Sequence, residues 1–542
     1  MSGEEFNGRS SPIHRIRRCA AALMCAFAAV LALNSAFLPR ADAAGDGSSP
    51  DELAADGFAV LEITLDGYGI DEIDKDARQP MTYTLRYDGV TLENQSAAIK
   101  GRGNYTWTQP KKPFAIKCDE KTDWFGFGKS RNWVLLANIT DQTLMRNMVA
   151  LELASKFDFA FTPEFRPAHV FINGDYQGLY LITEKVEIGK NRLEIDYRSG
   201  DSLWELDNNY GWSEPDSYSS PLGNLFVLKD PSREKLEEEA AELKTGEELI
   251  SFSRAFRTGS RAIMSFENGL KSKDLEKIAG VMNMDSLVDW YIFNEIMKND
   301  DTLFNSSIYL WYDYGENRLN MGPVWDYDLS MGGIDRNDGK NVDPEGFMFT
   351  EDYWGRDSAN WFKTLLAFPE FNDMVSARWT ELYSAGVFEY IKAYIDKAER
   401  ELTEPQKANS RLWGIQGVFV RSDNYAQAVD VLRGFVTARI DWLNRQWNPA
   451  AATPAPVTAP PTREPLTPAP ESTGIPATAA PELTEGPEMT ADHTAPPGAR
   501  SRSRITALDI FKYALLFAGT LTATVLVILG AFKLSEKRRK GH

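Results

Sequence analysis

Two short acid-rich stretches carry the residues best suited to chemistry. In residues 299–307, NDDTLFNSS, two adjacent carboxylates, Asp300 and Asp301, precede an amide, Asn305. A carboxylate with an amide oxygen nearby suits a general base beside a metal-binding oxygen. The stretch follows a predicted helix, and because a helix C-terminus disfavours anions, a cation nearby would stabilise the pair. An Asx turn with exposed acids is the alternative.

The second stretch, residues 322–333 with the sequence GPVWDYDLSMGG, places Asp326 and Asp328 two positions apart. On an extended chain such residues share one face, and their apolar neighbours indicate partial burial. Buried paired acids normally need a cation. The stretch therefore predicts a metal site, and a structural turn with hydrogen-bonded acids is the alternative.

A glycine-rich turn offers a contact for phosphate. In residues 100–106, KGRGNYT, Gly101 and Gly103 allow backbone amides to turn toward an anion, and a lysine in residues 111–117 could reach the same group. The pattern matches neither the P-loop nor the kinase GxGxxG, so a hairpin with solvated lysines is the alternative. Glu184, at the end of a predicted buried strand, could pair with that lysine, hydrogen-bond a nucleotide, or be a surface acid.

Composition excludes several other chemistries. The chain of 542 residues has a formal net charge of −19 and a pI near 4.9, so it lacks the Lys/Arg excess that nucleic acid binding requires. Its three cysteines cannot form a disulfide framework or a four-ligand zinc site. Its four histidines show neither HExxH nor HxH spacing. The chemistry that remains is that of carboxylates.

The elements that must position these residues indicate an α+β fold. Short β-rich runs occupy residues 58–197, and Asn173-Gly174 between two alternating runs is a strong hairpin signal. The predicted strands are residues 58–65, 81–87, 114–117, 133–136, 169–172 and 178–182. One helix, residues 141–157, is predicted among them, with a cap at Thr140 or Asp141.

Helical patterns dominate residues 232–448. Helices are predicted over residues 234–298 with breaks, over 361–404 with Pro405 as a stop, and over 425–447. Residues 307–328 are predicted to form a compact β-like segment. A strand-rich N-terminal lobe, about residues 58–197, thus precedes a helix-rich C-terminal lobe, about residues 232–448. A cleft between two such lobes is a common place for a ligand.

Both ends of the chain resemble targeting and anchoring segments. Residues 1–43 have the basic, apolar and small-residue order of a signal peptide, with an uncleaved anchor as the alternative. Residues 449–505 form a Pro/Thr/Ala-rich linker, for which we expect a disordered, extended stalk. Residues 513–532 are free of charge and long enough for one transmembrane helix, and residues 533–542 form a basic tail expected in the cytoplasm. This places the folded domain, residues 52–448, outside the cell.

Six blocks of sequence, taken in order, resemble the CotH family, named for spore coat protein H. The blocks are Arg102-Gly-Asn, Lys111-Lys-Pro-Phe, Leu144-Met-Arg-Asn, Phe171-Ile-Asn-Gly-Asp-Tyr-Gln-Gly-Leu-Tyr-Leu, Asn294-Glu295 with Lys298-Asn-Asp-Asp, and Gly322-Pro-Val-Trp-Asp-Tyr-Asp. The resemblance covers about residues 58–447. It implies an atypical secreted protein kinase, with a two-lobed kinase-like fold, that uses ATP and Mg²⁺ or Mn²⁺ to phosphorylate Ser or Thr of extracellular or cell-surface proteins.

The resemblance also implies a catalytic aspartate within residues 299–301. The spacing from Asp300 to Asn305 matches a kinase catalytic loop, but the Asn-x-Asp arrangement of the family favours Asp301. No histidine precedes the pair, as it would in the kinase HRD motif. Asp301 or Asp300 would orient the substrate hydroxyl.

A metal-binding aspartate is implied within residues 325–328. Asp326 would hold the metal together with Asp328 or Asn305, although the DFG-like motif ends in Asp328 rather than glycine. One lysine would contact the phosphates and pair with a glutamate. The nucleotide-binding candidates are Arg102, Lys112, Lys117, Glu152 and Glu184.

Two functions of other classes stay open. The chain could be a catalytically inactive kinase-like scaffold or adhesion protein at the cell wall, because ATP is scarce outside cells and a fold does not determine function. It could also be a glycosidase that acts on wall polymers with two carboxylates about 5 to 10 Å apart.

The apolar run at residues 513–532 and its basic flank predict the orientation of the chain. Protease added to intact cells should digest the folded domain and leave a small membrane-bound remnant that carries residues 533–542, because positively charged flanks stay in the cytoplasm. Immunoblotting for a C-terminal tag measures the remnant, and permeabilised cells, in which the tag is lost, are the control. Protection of the whole chain would refute this orientation.

Overall fold

Strands precede most of the helices along the described chain, in a mixed α+β fold. The computed structural model describes residues 49–54, 57–242, 252–334, 339–350, 359–414 and 422–448. The predicted signal peptide, linker, transmembrane helix and basic tail lie outside these residues. Within the described ranges, no helix is both long and apolar enough to span a bilayer.

The elements are numbered in chain order. The strands are β1 (Ala59–Leu65), β2 (Gln79–Tyr87), β3 (Val90–Gly101), β4 (Phe114–Asp123), β5 (Lys129–Leu136), β6 (Phe165–Ile172), β7 (Asp175–Glu184), β8 (Ser202–Leu206), β9 (Ser217–Ser219), β10 (Leu225–Asp230), β11 (Ile308–Asp313) and β12 (Arg318–Met321). The helices are α1 (Pro50–Ala54), α2 (Arg146–Ala154), α3 (Arg233–Glu242), α4 (Phe252–Ser272), α5 (Leu275–Ala279), α6 (Met284–Met297), α7 (Phe362–Leu365), α8 (Pro369–Ser384), α9 (Val387–Leu402), α10 (Pro405–Trp413) and α11 (Tyr425–Trp447).

Seven strands close into a barrel in the order β1-β2-β3-β4-β5-β7-β6. Neighbouring strands are antiparallel, except that β1 and β6 are parallel where the barrel closes. Strand β4 shows how alternation fills the interior, because Phe114, Ile116 and Cys118 are buried in the barrel core while Lys117 points outward. Inside, Trp124 stacks on Trp133 with ring centroids 5.1 Å apart.

A second, five-stranded sheet has the order β12-β11-β8-β10-β9, and the longer helices pack with it around a separate core. Helix α6 is buried on every side from Leu287 to Met297, as expected of a helix that carries apolar residues all round. It therefore lies at the centre of this core, and the chain that leaves its C-terminus starts from a rigid support.

Several predicted elements are confirmed. Asn173 and Gly174 form the turn between β6 and β7 with φ values of 52° and 86°, the left-handed pair that a type I′ hairpin needs. Helix α11 spans the residues predicted, 425–447. The β-like segment at residues 307–328 contains the hairpin of β11 and β12.

The predicted bounds of one helix are wrong. The helix predicted over residues 141–157 begins at Arg146, because the carboxylate of Asp141 accepts hydrogen bonds from the amides of Thr143 and Arg146 at 2.9 and 2.7 Å, and Leu144 has a positive φ of 60°. The stop predicted at Pro405 is confirmed, because α9 ends at Leu402 just before it, and Pro405 is itself the first residue of α10. Proline fits there because the first turn of a helix does not use its amide.

Glu184 is the last residue of β7, is only 2% exposed and forms an ion pair with the guanidinium of Arg192. The amide of Glu164 donates a second hydrogen bond to this carboxylate at 2.9 Å. Burial raises the pKa of Glu184 to about 7, although Arg192 and the Glu164 amide act in the opposite direction. The partner of Glu184 is thus an arginine, and the suggested pairing with a phosphate-binding lysine is not seen.

This raised pKa predicts a pH-dependent stability. Because the folded pKa of Glu184 exceeds its unfolded value, the free energy of unfolding should fall as pH rises from about 4.5 to 7, by about 3 kcal/mol at most. Glu184→Gln removes the titrating carboxyl, so the free energy of unfolding should fall less between pH 4.5 and pH 8 in the variant than in the wild type. Urea unfolding of residues 44–448 at both pH values measures the difference.

Glu187 provides the control. Burial raises its pKa, but Lys185 and Asn132 together hold it below the usual range. Glu187→Gln should therefore remove stability above about pH 4.5, the opposite sign from Glu184→Gln. Equal pH profiles for the Glu184→Gln variant and the wild type would contradict the interpretation of this ion pair.

Candidate active site

The turn that follows β12 presents Asp326 in a strained backbone conformation. Asp326 has a φ of 69°, a left-handed value that non-glycine residues seldom adopt without support. The side-chain amide of Asn299 donates to the carbonyl of Asp326 at 2.9 Å, and the next amide, of Tyr327, donates to the side chain of Asn147 at 2.8 Å. Both hydrogen bonds go to the peptide group that joins Asp326 to Tyr327, and they thus hold the conformation from one side of the residue.

The turn after α6 presents Asp301. Its backbone carbonyl accepts from the amides of Asn305 and Ser306 at 3.1 and 3.0 Å, and its carboxylate accepts from the side-chain amide of Asn305 at 3.1 Å. Asn299 belongs to the same turn, so its bond to Asp326 ties the two acidic turns together. The structure therefore brings Asp301, Asn305 and Asp326 into one site.

Asp300 and Asp301 have different surroundings. The side chain of Asp300 has 0% exposure and accepts from the side-chain amide of Asn341 at 2.9 Å. Asp301 is partly exposed and lies close enough to Asp326 to raise its pKa. This geometry favours Asp301 over Asp300 as the acid that faces a ligand.

The carboxylates of this site repel one another. The pKa of Asp326 is raised well above its usual range, first by burial and then by Asp328 and Asp301. Arg102 lowers it but does not compensate. Asp328 is itself buried and accepts a hydrogen bond from the hydroxyl of Thr140. The site thus contains more negative charge than its own cation balances.

Arg102 is the cation that the glycine-rich turn contributes. Its guanidinium lies 5.2 Å from the ring centroid of Trp325, next to Asp326 in sequence. Burial lowers the pKa of Arg102, and Asp326 is the acid that raises it most. Gly103 has a φ of 71° and a Cβ there would lie 2.2 Å from the hydroxyl oxygen of Thr106, so the turn needs glycine at this position.

Glu205 belongs to this site and was missed from the sequence. It lies in β8 opposite Tyr309, is 8% exposed and pairs with Lys229 at 2.9 Å. It also contributes to raising the pKa of Asp326. Burial, followed by Glu205, raises the pKa of the nearby Asp207 to about 6. The signal was available, because two acids in the otherwise apolar run SLWELD are unusual for a buried strand.

The remaining candidates make their contacts elsewhere. Lys112 donates to the carbonyl of Trp107 at 2.6 Å. Lys117 forms ion pairs with Glu234 and Glu238 of α3 at 3.3 and 2.6 Å. The structure therefore does not pair either lysine with a predicted glutamate.

Glu152 likewise lies away from the acidic turns. It pairs with Lys156 at 3.3 Å and accepts a hydrogen bond from the hydroxyl of Tyr390 in α9. The pairing of Glu152 with Lys112 or Lys117 is therefore not seen.

The donor set fits a divalent cation that is only partly bound by protein. Among the described residues, no three His, Cys, Asp or Glu side chains form a group able to hold a metal by themselves. Mg²⁺ commonly takes one or two carboxylates and completes its shell with water and substrate phosphates. Asp326 with Asp328 or Asn305 matches that pattern, and the raised pKa of Asp326 shows negative charge that a cation would neutralise.

Comparison with known proteins gives one family. Among curated proteins, none matches the chain. Residues 99–443, which include both acidic turns, Arg102 and Glu205, match the family described as CotH kinase protein. The chain therefore belongs to the CotH kinase family and is a kinase-like protein.

Proposed function

We propose that the domain is an atypical protein kinase with a two-lobed kinase-like arrangement, which transfers the γ-phosphoryl group of ATP to Ser or Thr. The observation that carries the proposal is the meeting of Asp301, Asp326 and Asp328 with Arg102 in one partly buried site. Phosphoryl transfer needs charge neutralisation and positioning rather than covalent chemistry from the protein. A site rich in carboxylates, with one arginine, supplies both.

The roles follow from the surroundings of each side chain. Asp301 would accept a hydrogen bond from the substrate hydroxyl and orient it, with Asn305 fixing its carboxylate. Asp326, with Asp328 or Asn305, would hold Mg²⁺ or Mn²⁺, which when bound neutralises the phosphates. The strained backbone of Asp326 fits such a role, because strain is retained where the surrounding bonds enforce it.

Arg102 is the best-supported phosphate contact. It already lies beside the acids, whereas Lys112 and Lys117 engage the carbonyl of Trp107 and two glutamates. A guanidinium can bind two phosphate oxygens at once. Lys117 remains a second candidate if nucleotide displaces its surface glutamates, since exposed ion pairs contribute little stability.

The proposal extends to location and partners. The signal peptide, linker and transmembrane helix predicted from the sequence would place the kinase on the outer side of the cell membrane, with Ser- or Thr-containing surface or secreted proteins as substrates. The net charge of −19 supports protein rather than nucleic acid partners. The inactive scaffold and the glycosidase are alternative outcomes of the experiments below.

Replacement of the two turn acids should separate binding from transfer. Asp326→Ala should abolish metal-dependent ATP binding and transfer together, because it removes the metal-holding carboxylate. Asp301→Ala should keep ATP affinity but reduce transfer by roughly 10² or more, as loss of a positioned base does. Calorimetric titration with ATP and Mn²⁺, beside transfer from labelled ATP with phosphosite mapping, measures both on residues 44–448.

Asp396→Ala is the matched control, because this aspartate pairs with Arg433 on the helical surface at 2.9 Å. It should leave binding and transfer unchanged, and melting temperatures should show that all three variants fold. If the wild type binds ATP without transfer, the scaffold function is supported instead. Release of reducing ends from wall polysaccharide that depends on Asp301 and Asp326 would favour the glycosidase.

A further inference from the structure

The C-terminus of α6 is shaped by a buried lysine. Lys298 caps the helix with left-handed dihedral angles, φ 44° and ψ 50°, and its side chain is only 4% exposed. Left-handed backbone in a lysine is unfavourable without support, and lysine is rarely buried to this extent unless its charge is satisfied. Contacts with the rest of the protein must therefore stabilise both the backbone conformation and the buried charge of Lys298.

The compensation comes from one segment of chain, residues 339–349, which follows the acidic turn of Asp326. The ammonium group of Lys298 donates to the carbonyls of Lys340, Asp343 and Glu345 at 3.0, 2.8 and 2.6 Å. An ammonium has three protons, so these bonds can use its whole donor capacity. The lysine thereby fastens the segment to the helix end from which the turn of Asp301 begins.

Asp300 fastens the same segment at a second point. Its carboxylate accepts from the side-chain amide of Asn341 at 2.9 Å, and both side chains are buried. Asp300 and Asp301 are neighbours, so a bond that fixes one also limits how the other can turn.

A third attachment uses a buried ion pair. Arg439 of α11 donates to the carbonyls of Pro344 and Gly346 at 2.8 and 2.7 Å, and to the carboxylate of Glu295 at 2.7 Å. Glu295, in α6, also accepts from the amide of Met348 at 2.8 Å. Together the three attachments hold the segment along most of its length.

We propose that Lys298 and Asp300 are positioning residues: they lock residues 339–349 against the end of α6 and so hold the Asp301 carboxylate in its place opposite Asp326. The proposal rests on the proposed kinase function and assigns Asp300 a role distinct from that of a catalytic base. Displacement of a reacting group by about 1 Å can reduce the rate of a reaction by roughly 10². Loss of the hydrogen bonds that Lys298 and Asp300 make with residues 339–349 should therefore lower the rate of phosphoryl transfer while leaving nucleotide affinity nearly unchanged.

An exchange of the two side chains tests the Asp300 attachment. Asn341→Asp should lower kcat by about tenfold or more, because two buried carboxylates then face each other, while the KM for ATP stays within about twofold. The double variant Asp300→Asn, Asn341→Asp restores the hydrogen bond with donor and acceptor exchanged, so kcat should return to within about threefold of wild type. If Asn341→Asp does not fold, Asn341→Ala replaces it in this test, because it removes the same hydrogen bond to Asp300. A purely structural role would lower the melting temperature without this recovery of kcat.

Hydrogen exchange on the full chain tests, without relying on activity, whether Lys298 holds residues 339–349 in place. Lys298→Met should increase the exchange rate of amides in residues 339–349 by about tenfold or more and leave strand β4 unchanged. The matched control is Lys111→Met, which removes another buried lysine, one that donates to the carbonyl of Leu179 and the side chain of Asn409 at 2.6 and 2.8 Å. It should leave exchange in residues 339–349 unaltered.

The outcomes separate the two proposals. Unchanged exchange in Lys298→Met, or an Asn341→Asp variant with wild-type kcat, overturns the positioning role even if the wild type is an active kinase. If the wild type shows no phosphoryl transfer but Lys298→Met speeds amide exchange in residues 339–349, the kinase function is overturned. The attachment of this segment by Lys298 is then supported as a feature of the fold.

Discussion

Crowding of like charges in a partly buried site is the constraint on which this structure depends. Asp301, Asp326 and Asp328 come from two different turns, yet they are near enough for two of them to raise the pKa of the third. A flexible chain would relieve that repulsion by moving the carboxylates apart. The turns are restrained, because side-chain amides bind the peptide group between Asp326 and Tyr327 and the carboxylate of Asp301.

The cations around the site have two different tasks. Arg102, on the turn that follows β3 of the barrel, faces the acids and offsets part of their charge. Lys298 and Arg439 instead donate to backbone carbonyls, so they order the chain around the site. A buried cation satisfied mostly by carbonyls has a strict geometric requirement, because each lost bond leaves part of a charge without compensation. That requirement explains why such residues specify one arrangement of the segment they bind.

The sequence predicted those parts of the fold and the site that depend on local pattern. The β6–β7 hairpin and helix α11 follow from turn chemistry and periodicity, and the two acidic turns stand out because acids lie next to apolar residues. Strand β3 was not predicted, because much of its length is exposed and its sequence lacks a clear alternation of apolar and polar residues. Closure of the barrel by parallel pairing of β1 and β6 depends on residues about a hundred positions apart, which no local pattern reports.

The partners of buried charged side chains could not be predicted from local sequence pattern either. Glu184 was expected beside a lysine and lies beside Arg192, because tertiary packing decides which opposite charge is near. Glu205 required the knowledge that β8 passes the acidic turns. Asp300 and Asp301 could not be distinguished by spacing, since their difference lies in the directions in which adjacent side chains point.

Under the proposed kinase function, the charge balance of the site would decide in which form a nucleotide enters it. Free ATP is a polyanion and would meet the carboxylates of Asp301, Asp326 and Asp328, in a chain whose net charge is −19. One arginine cannot offset that repulsion. A metal complex of ATP carries less negative charge and presents a cation to the carboxylates, so the same acids that would repel the free nucleotide would attract its metal complex. For the proposed reaction, the crowding of acids is therefore what would make nucleotide binding dependent on metal.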